Sequence, residues 1–138
     1  MVKAVVAANP NVVLVMLNGG PLAIDWAAAH VPSIVEAYFP GQQGGDAIAS
    51  ILLGDVAPQG RLPVSWYPSD YVERNMTDYD LASGNGTTHL YWKGSPLLYK
   101  FGFGASYTTF SFSLSDAADQ AVREVSVRNQ RSFLRACF

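Results

Sequence analysis

The sequence predicts an α/β fold built on a partial, open and mostly parallel sheet with flanking helices. Two apolar, β-branched-rich runs at residues 12–17 and 33–39 have the composition of buried parallel strands. Helical spacing of apolar residues lies before, between and after them, and Gly or Pro stands at nearly every boundary. The length of 138 residues suits one domain, and a hydrophobic content of 49% is enough to expect a buried core.

Val2, Val5 and Val6 fall at helical spacing and Asn9-Pro10 closes the segment, so residues 1–8 read as the end of a helix. No Ser, Thr, Asp or Asn precedes Val2 to satisfy the first free N–H groups, and Met1 is therefore expected to fall inside a longer helix. Residues 12–17 read as a strand covered on both faces and ended by Asn18-Gly19-Gly20-Pro21. Asp25 is placed to cap a short helix from Trp26 to Ala29, which Pro32 terminates. Residues 33–39 form the second strand, stopped by Pro40-Gly41, and the pair implies a right-handed βαβ unit.

Residues 40–68 hold the strongest local signal. Ala47, Ile48, Ile51 and Leu52 make one apolar stripe at 100° per residue, and the expectation is that it packs on the sheet. Gly41, Gly44 and Gly45 precede this helix, and Gly54 stands where a left-handed C-terminal cap would fall. Residues 55–100 show no sustained period and read as extended loop with short strands, rich in aromatics such as Trp66, Tyr67, Tyr71, Tyr79, Tyr91, Trp92 and Tyr99. These rings suit covering apolar surface better than stacking on a ligand. Residues 108–114 alternate as a half-buried strand and open a β module, to which Val122, Val125 and Val127 could add a second strand.

Composition excludes several classes of function. A net charge of −2 with no basic patch gives no footprint for nucleic acid, and no apolar run approaches the roughly 20 residues that span a bilayer. Residues 1–10 do not look like a secretory signal, because Asn9 and Pro10 interrupt the apolar region. Cys137 is the single cysteine, so no disulfide framework or Cys-rich metal site is expected. His30 and His89 lie far apart in sequence, outside any ligand-pair spacing, and read as surface or packing residues. No metal and no cofactor is expected.

A serine nucleophile is not supported: Gly104-Ala105-Ser106-Tyr107-Thr108 lacks the final glycine and the strand-to-helix turn of a nucleophile elbow. Gly41, Gly44 and Gly45 lack the Lys-Ser/Thr and the spacing of a phosphate loop. Glu36, inside an apolar strand, has the desolvated setting of a general acid, but a partner across the sheet accounts for it better. Asp46 and Asp55 fit helix-start and turn roles, and Asp78 and Asp80 fit a solvated loop. By the rule that α/β sites gather at the carboxyl ends of parallel strands, Asn18, Gly19, Gly20, Gln42 and Gln43 are the candidate substrate-binding residues. Asn75-Met76-Thr77 and Asn85-Gly86-Thr87 match the N-glycosylation acceptor pattern.

Several stretches, taken in order, carry a family resemblance: residues 12–21 (VVLVMLNGGP), 38–45 (YFPGQQGG), 53–55 (LGD), 60–68 (GRLPVSWYP), 76–78 (MTD) and 101–110 (FGFGASYTTF). Together they resemble the C-terminal α/β sandwich domain of glycoside hydrolase family 3, over roughly residues 5–112. Trp66-Tyr67-Pro68 and Met76-Thr77-Asp78 look most like the plant and fungal β-xylosidases, while Leu90-Tyr91-Trp92 and Lys100 depart from the usual pattern. The resemblance implies a retaining exo-acting β-glycosidase acting on oligosaccharides. It puts the aspartate nucleophile on an N-terminal barrel and the glutamate acid/base ahead of the first strand, both upstream of Met1, so no catalytic residue is assigned in this chain and the chain reads as a fragment. Residues 1–110 are expected to be the C-terminal part of the sandwich domain. Residues 111–138 are expected to be the truncated start of a fibronectin type III-like domain or an aberrant tail. Such relatives suggest a secreted or extracellular protein. The alternatives are a non-catalytic carbohydrate-binding or interaction module using the aromatic loop, and a small α/β ligand-binding domain.

Overall fold

The computed structural model describes residues 1–114 and 123–129, the backbone alone for 109–114 and 123–129. Helix α1 (Val2–Ala8) leads to strand β1 (Val13–Met16), helix α2 (Asp25–His30) and strand β2 (Ser33–Glu36). The strands pair in parallel, Val13 opposite Ser33 and Met16 opposite Glu36, as the βαβ reading required. All four residues of β2 are buried, whereas Val13 in β1 is 47% exposed, so the expectation of two covered faces holds only for β2. β2 is also shorter than expected, because Tyr38 turns into the left-handed region at φ +48° and ends the extended backbone.

Helix α3 (Gly44–Leu53) lies where the stripe predicted, and Gly54 closes it at φ +84°. Its N–H donates to Ile51 O (3.0 Å) and that of Asp55 to Ser50 O (2.9 Å), the paired bonds of a Schellman stop. The stripe itself is not buried against the sheet. Ala47 and Leu52 are exposed, Ile48 and Ile51 are half-buried, and only Gly44 is buried in this helix. A long-range tie to α3 is the Tyr107 hydroxyl, which donates to Ile51 O.

The core gathers Met16, Ala27, Val31, Ile34, Leu62 and Trp66, with Leu14, Tyr38, Leu98 and Tyr99 packed around it. Leu62 and Trp66 enter it through an antiparallel ribbon between residues 62–66 and 98–103. Leu62 N–H donates to Phe103 O and Gly102 N–H to Leu62 O (both 2.8 Å), and Trp66 N–H donates to Tyr99 O (2.8 Å). Residues 67–97 are thus a closed excursion, and in place of short strands they contain a 3₁₀ turn (Ser69–Glu73) and helix α4 (Thr88–Tyr91). Asp25 does not cap α2 through its side chain; its Oδ1 accepts the Ser69 N–H at 3.1 Å and pins the excursion to the α/β layer.

Strand β3 (Thr108–Leu114) pairs antiparallel with β4 (Arg123–Asn129), setting Phe110 opposite Val127 and Phe112 opposite Val125. The anticipated strand through Val125 and Val127 is therefore present, while Val122 and Cys137 lie outside the described residues. Among the described residues this pair does not by itself show the expected start of a fibronectin type III-like module.

Candidate functional site

The carboxyl ends of β1 and β2 lie side by side, Met16 opposite Glu36, and the turns that leave them carry every candidate substrate-binding residue. After β1, half-buried Asn18 donates from Nδ2 to Gly20 O at 2.6 Å and so fixes the turn through Gly19. After β2, residues 37–43 pass through left-handed Tyr38 to Gln42 and Gln43, both exposed just ahead of α3. The two turns touch: a Cβ added at Gly19 would stand 3.0 Å from the exposed Phe39 ring, which would have to give by a few tenths of an ångström.

Glu36 joins the two turns from below. It is 5% exposed, its Oε1 accepts the Tyr38 N–H at 2.9 Å, and its other oxygen has no hydrogen bond of good geometry. Burial pushes its carboxyl above the ordinary carboxylate range, opposed by the Tyr38 N–H and by the neighbouring Asn18 side chain. Burial likewise raises the Tyr38 hydroxyl; the Trp66 side chain opposes this and the Glu36 charge adds to it. Among the described residues no cation pairs with Glu36 across the sheet, and a backbone N–H and an amide stand where the partner was expected. A retaining glycosidase needs two carboxyl groups about 5–5.5 Å apart. No second carboxylate acts on Glu36 among the described residues.

The raised value gives a pH prediction. The folded chain binds the Glu36 proton more tightly than the unfolded chain, so this group's contribution falls as pH rises from the unfolded value through the raised folded one. Glu36→Gln should remove that slope. At neutral pH it should also stabilise the chain, because the neutral amide leaves no buried charge to desolvate. Urea midpoints across the acid-to-neutral range check this; an unchanged slope would contradict it.

The remaining candidates are structural. His30 stacks on Trp26 with centroids 4.4 Å apart, and His89 stacks on Phe101 at 4.3 Å. Asp78 Oδ1 accepts the Asp80 N–H at 3.0 Å and Asp80 Oδ1 accepts the Ala82 N–H at 2.9 Å, so both carboxylates hold a turn. No group of three or more His, Cys, Asp or Glu among the described residues is placed to hold a metal ion. Tyr67 and Tyr71 stack on each other at 3.9 Å and Trp92 meets both edge-on, which uses ring faces a sugar would need. Tyr67 and Tyr71 flank an apolar cleft of about 690 Å³ bounded also by Leu22, His89 and Phe101, and Trp92 borders a polar hollow of about 330 Å³ beside Arg74 and Asp78. Sequence reasoning passed over Tyr38 and the ribbon's use of Trp66; neither has a periodic signal.

The model of the glycosyl hydrolase family 3 C-terminal domain matches residues 1–107. The chain belongs to this family. It is 46% identical over 115 residues to beta-D-xylosidase 1 of Arabidopsis thaliana, covering 79% of this chain and 15% of that protein. It is 35% identical over 156 residues to beta-glucosidase B of Emericella nidulans, covering 92% of this chain and 17% of that protein. A solved family 3 exo-β-xylosidase (XlnD), in complex with a xylobiose aziridine activity-based probe, superposes with a TM-score of 0.72 at 29% identity. That match covers 81% of this chain and 16% of the other. This family 3 domain therefore spans about one sixth of the relatives it matches. The α/β architecture anticipated from its strands and glycines is that of a partial family 3 domain.

Proposed function

We propose that this chain is part of a retaining, exo-acting β-glycosidase that hydrolyses O-glycosyl bonds of xylo-oligosaccharides, a β-xylosidase. The observation that carries the substrate class is the 46% identity with an Arabidopsis β-D-xylosidase. The chain's own part is to form one wall of the saccharide site through Asn18, Gly19, Gly20, Gln42 and Gln43, with the nucleophile and acid/base supplied from outside it. The joined strand-end turns support that assignment, since they offer amide side chains at the carboxyl edge of a parallel sheet. Residues 1–110 are the sandwich part and 111–138 the start of a further β module or an aberrant tail. Asn75 and Asn85, both exposed, are the acceptors for N-linked sugar if the protein is secreted.

The test is a chimera in which this chain replaces the matched segment of the Arabidopsis β-D-xylosidase. The chimera should hydrolyse a nitrophenyl β-xyloside, and the 138-residue chain alone should release no nitrophenol. A folded but inactive chimera, or turnover by the isolated chain, would overturn the proposal.

A further inference from the structure

We propose that Glu36 is a positioning residue: its buried carboxylate pins Tyr38 in the left-handed conformation and so directs the turn carrying Gln42 and Gln43 toward the Asn18 turn. Tyr38 sits at φ +48°, where an L side chain strains the backbone, and strain of this kind persists only where surrounding contacts over-determine it. The contact here is Glu36 Oε1, which accepts the Tyr38 N–H at 2.9 Å from a side chain only 5% exposed. Among the described residues the other non-glycine at positive φ, Thr88 at +59°, is held in the same way. Its N–H donates to the Tyr67 hydroxyl at 2.8 Å. Both strained residues therefore have the backbone donor taken by a side-chain oxygen. Glu36 also has the Asn18 side chain beside it, and Asn18 in turn fixes Gly20, so one carboxylate organises both strand-end turns.

The value of this for saccharide binding rests on the function proposed above; the conformational role does not, and its test needs no sugar. Wild type, Glu36→Ala, Glu36→Gln, Tyr38→Gly and the Glu36→Ala/Tyr38→Gly double variant of the full chain are compared by amide NMR and hydrogen exchange. Glu36→Ala should shift the Gly41, Gly44 and Gly45 amide resonances and remove exchange protection at Tyr38. Glu36→Gln keeps an acceptor and should leave them in place. Glycine reaches positive φ unaided, so adding Glu36→Ala to Tyr38→Gly should shift the turn far less than it does in wild type. If Glu36→Ala fails to fold while the double variant folds, the role is supported. Equal shifts in both backgrounds, failure of both Ala-bearing chains to fold, or loss of the turn in Glu36→Gln would overturn it.

Discussion

Trp66→Ala is expected to lower stability by about 3–5 kcal/mol, the range for truncating a large aromatic in a packed core. That is a large part of the roughly 5–15 kcal/mol that holds a typical domain together. Trp66 is 0% exposed and meets Tyr99 edge-on at 6.2 Å. Its backbone holds both ends of a ribbon bond pair: its N–H donates to Tyr99 O, and its carbonyl accepts from Leu98 N–H at 3.0 Å. The indole also acts on the Tyr38 hydroxyl, so the cavity would open beneath the strand-end turns. Trp92→Ala is the comparison, because that ring is only half-buried at the surface of the excursion. Urea denaturation followed by far-UV circular dichroism measures both. A Trp66→Ala loss no larger than the Trp92→Ala loss would contradict the placement of the core.

Gly86→Ala is the second large effect. A Cβ there would stand 1.9 Å from the Tyr91 carbonyl oxygen, at a backbone φ of +71°. Left-handed strain for an L-residue is about 1–2 kcal/mol, and the clash adds to it because a backbone atom cannot swing aside like a side-chain tip. The surroundings leave no room to yield. Gly86 N–H donates to Ser83 O at 2.9 Å, and Thr87 next to it is buried with its N–H on Leu81 O at 2.8 Å. Gly84→Ala separates the two contributions, since Gly84 has φ +58° but nothing within 4 Å of its added Cβ. Thermal melts should place Gly86→Ala well below Gly84→Ala, with near-UV signals of Tyr67, Tyr71 and Trp92 lost first. Equal melting points would show that the Tyr91 carbonyl is not where the structure has it.

The elements that local chemistry dictates were legible. The runs around Val15 and Val35 form the parallel pair, Gly54 closes α3 in the left-handed region, and Ala47, Ile48, Ile51 and Leu52 do lie in a helix. The stripe's destination was not legible, because periodicity says which face is apolar and not what covers it. Glu36 drew attention as a polar residue in an apolar strand. Its partner, the Tyr38 N–H, arises from a backbone turn that no residue type announces.

By itself the sequence determined the strand and helix order, the turns with their glycines, and membership of family 3, because each rests on neighbours along the chain or on short motifs in order. Only the tertiary structure decided which motifs meet. It paired residues 62–66 with 98–103, tied Asp25 to Ser69 across 44 positions, and set Glu36 beneath both strand-end turns. Contacts of that range follow from loop closure and the competition for buried space, which leave no period in the sequence to read.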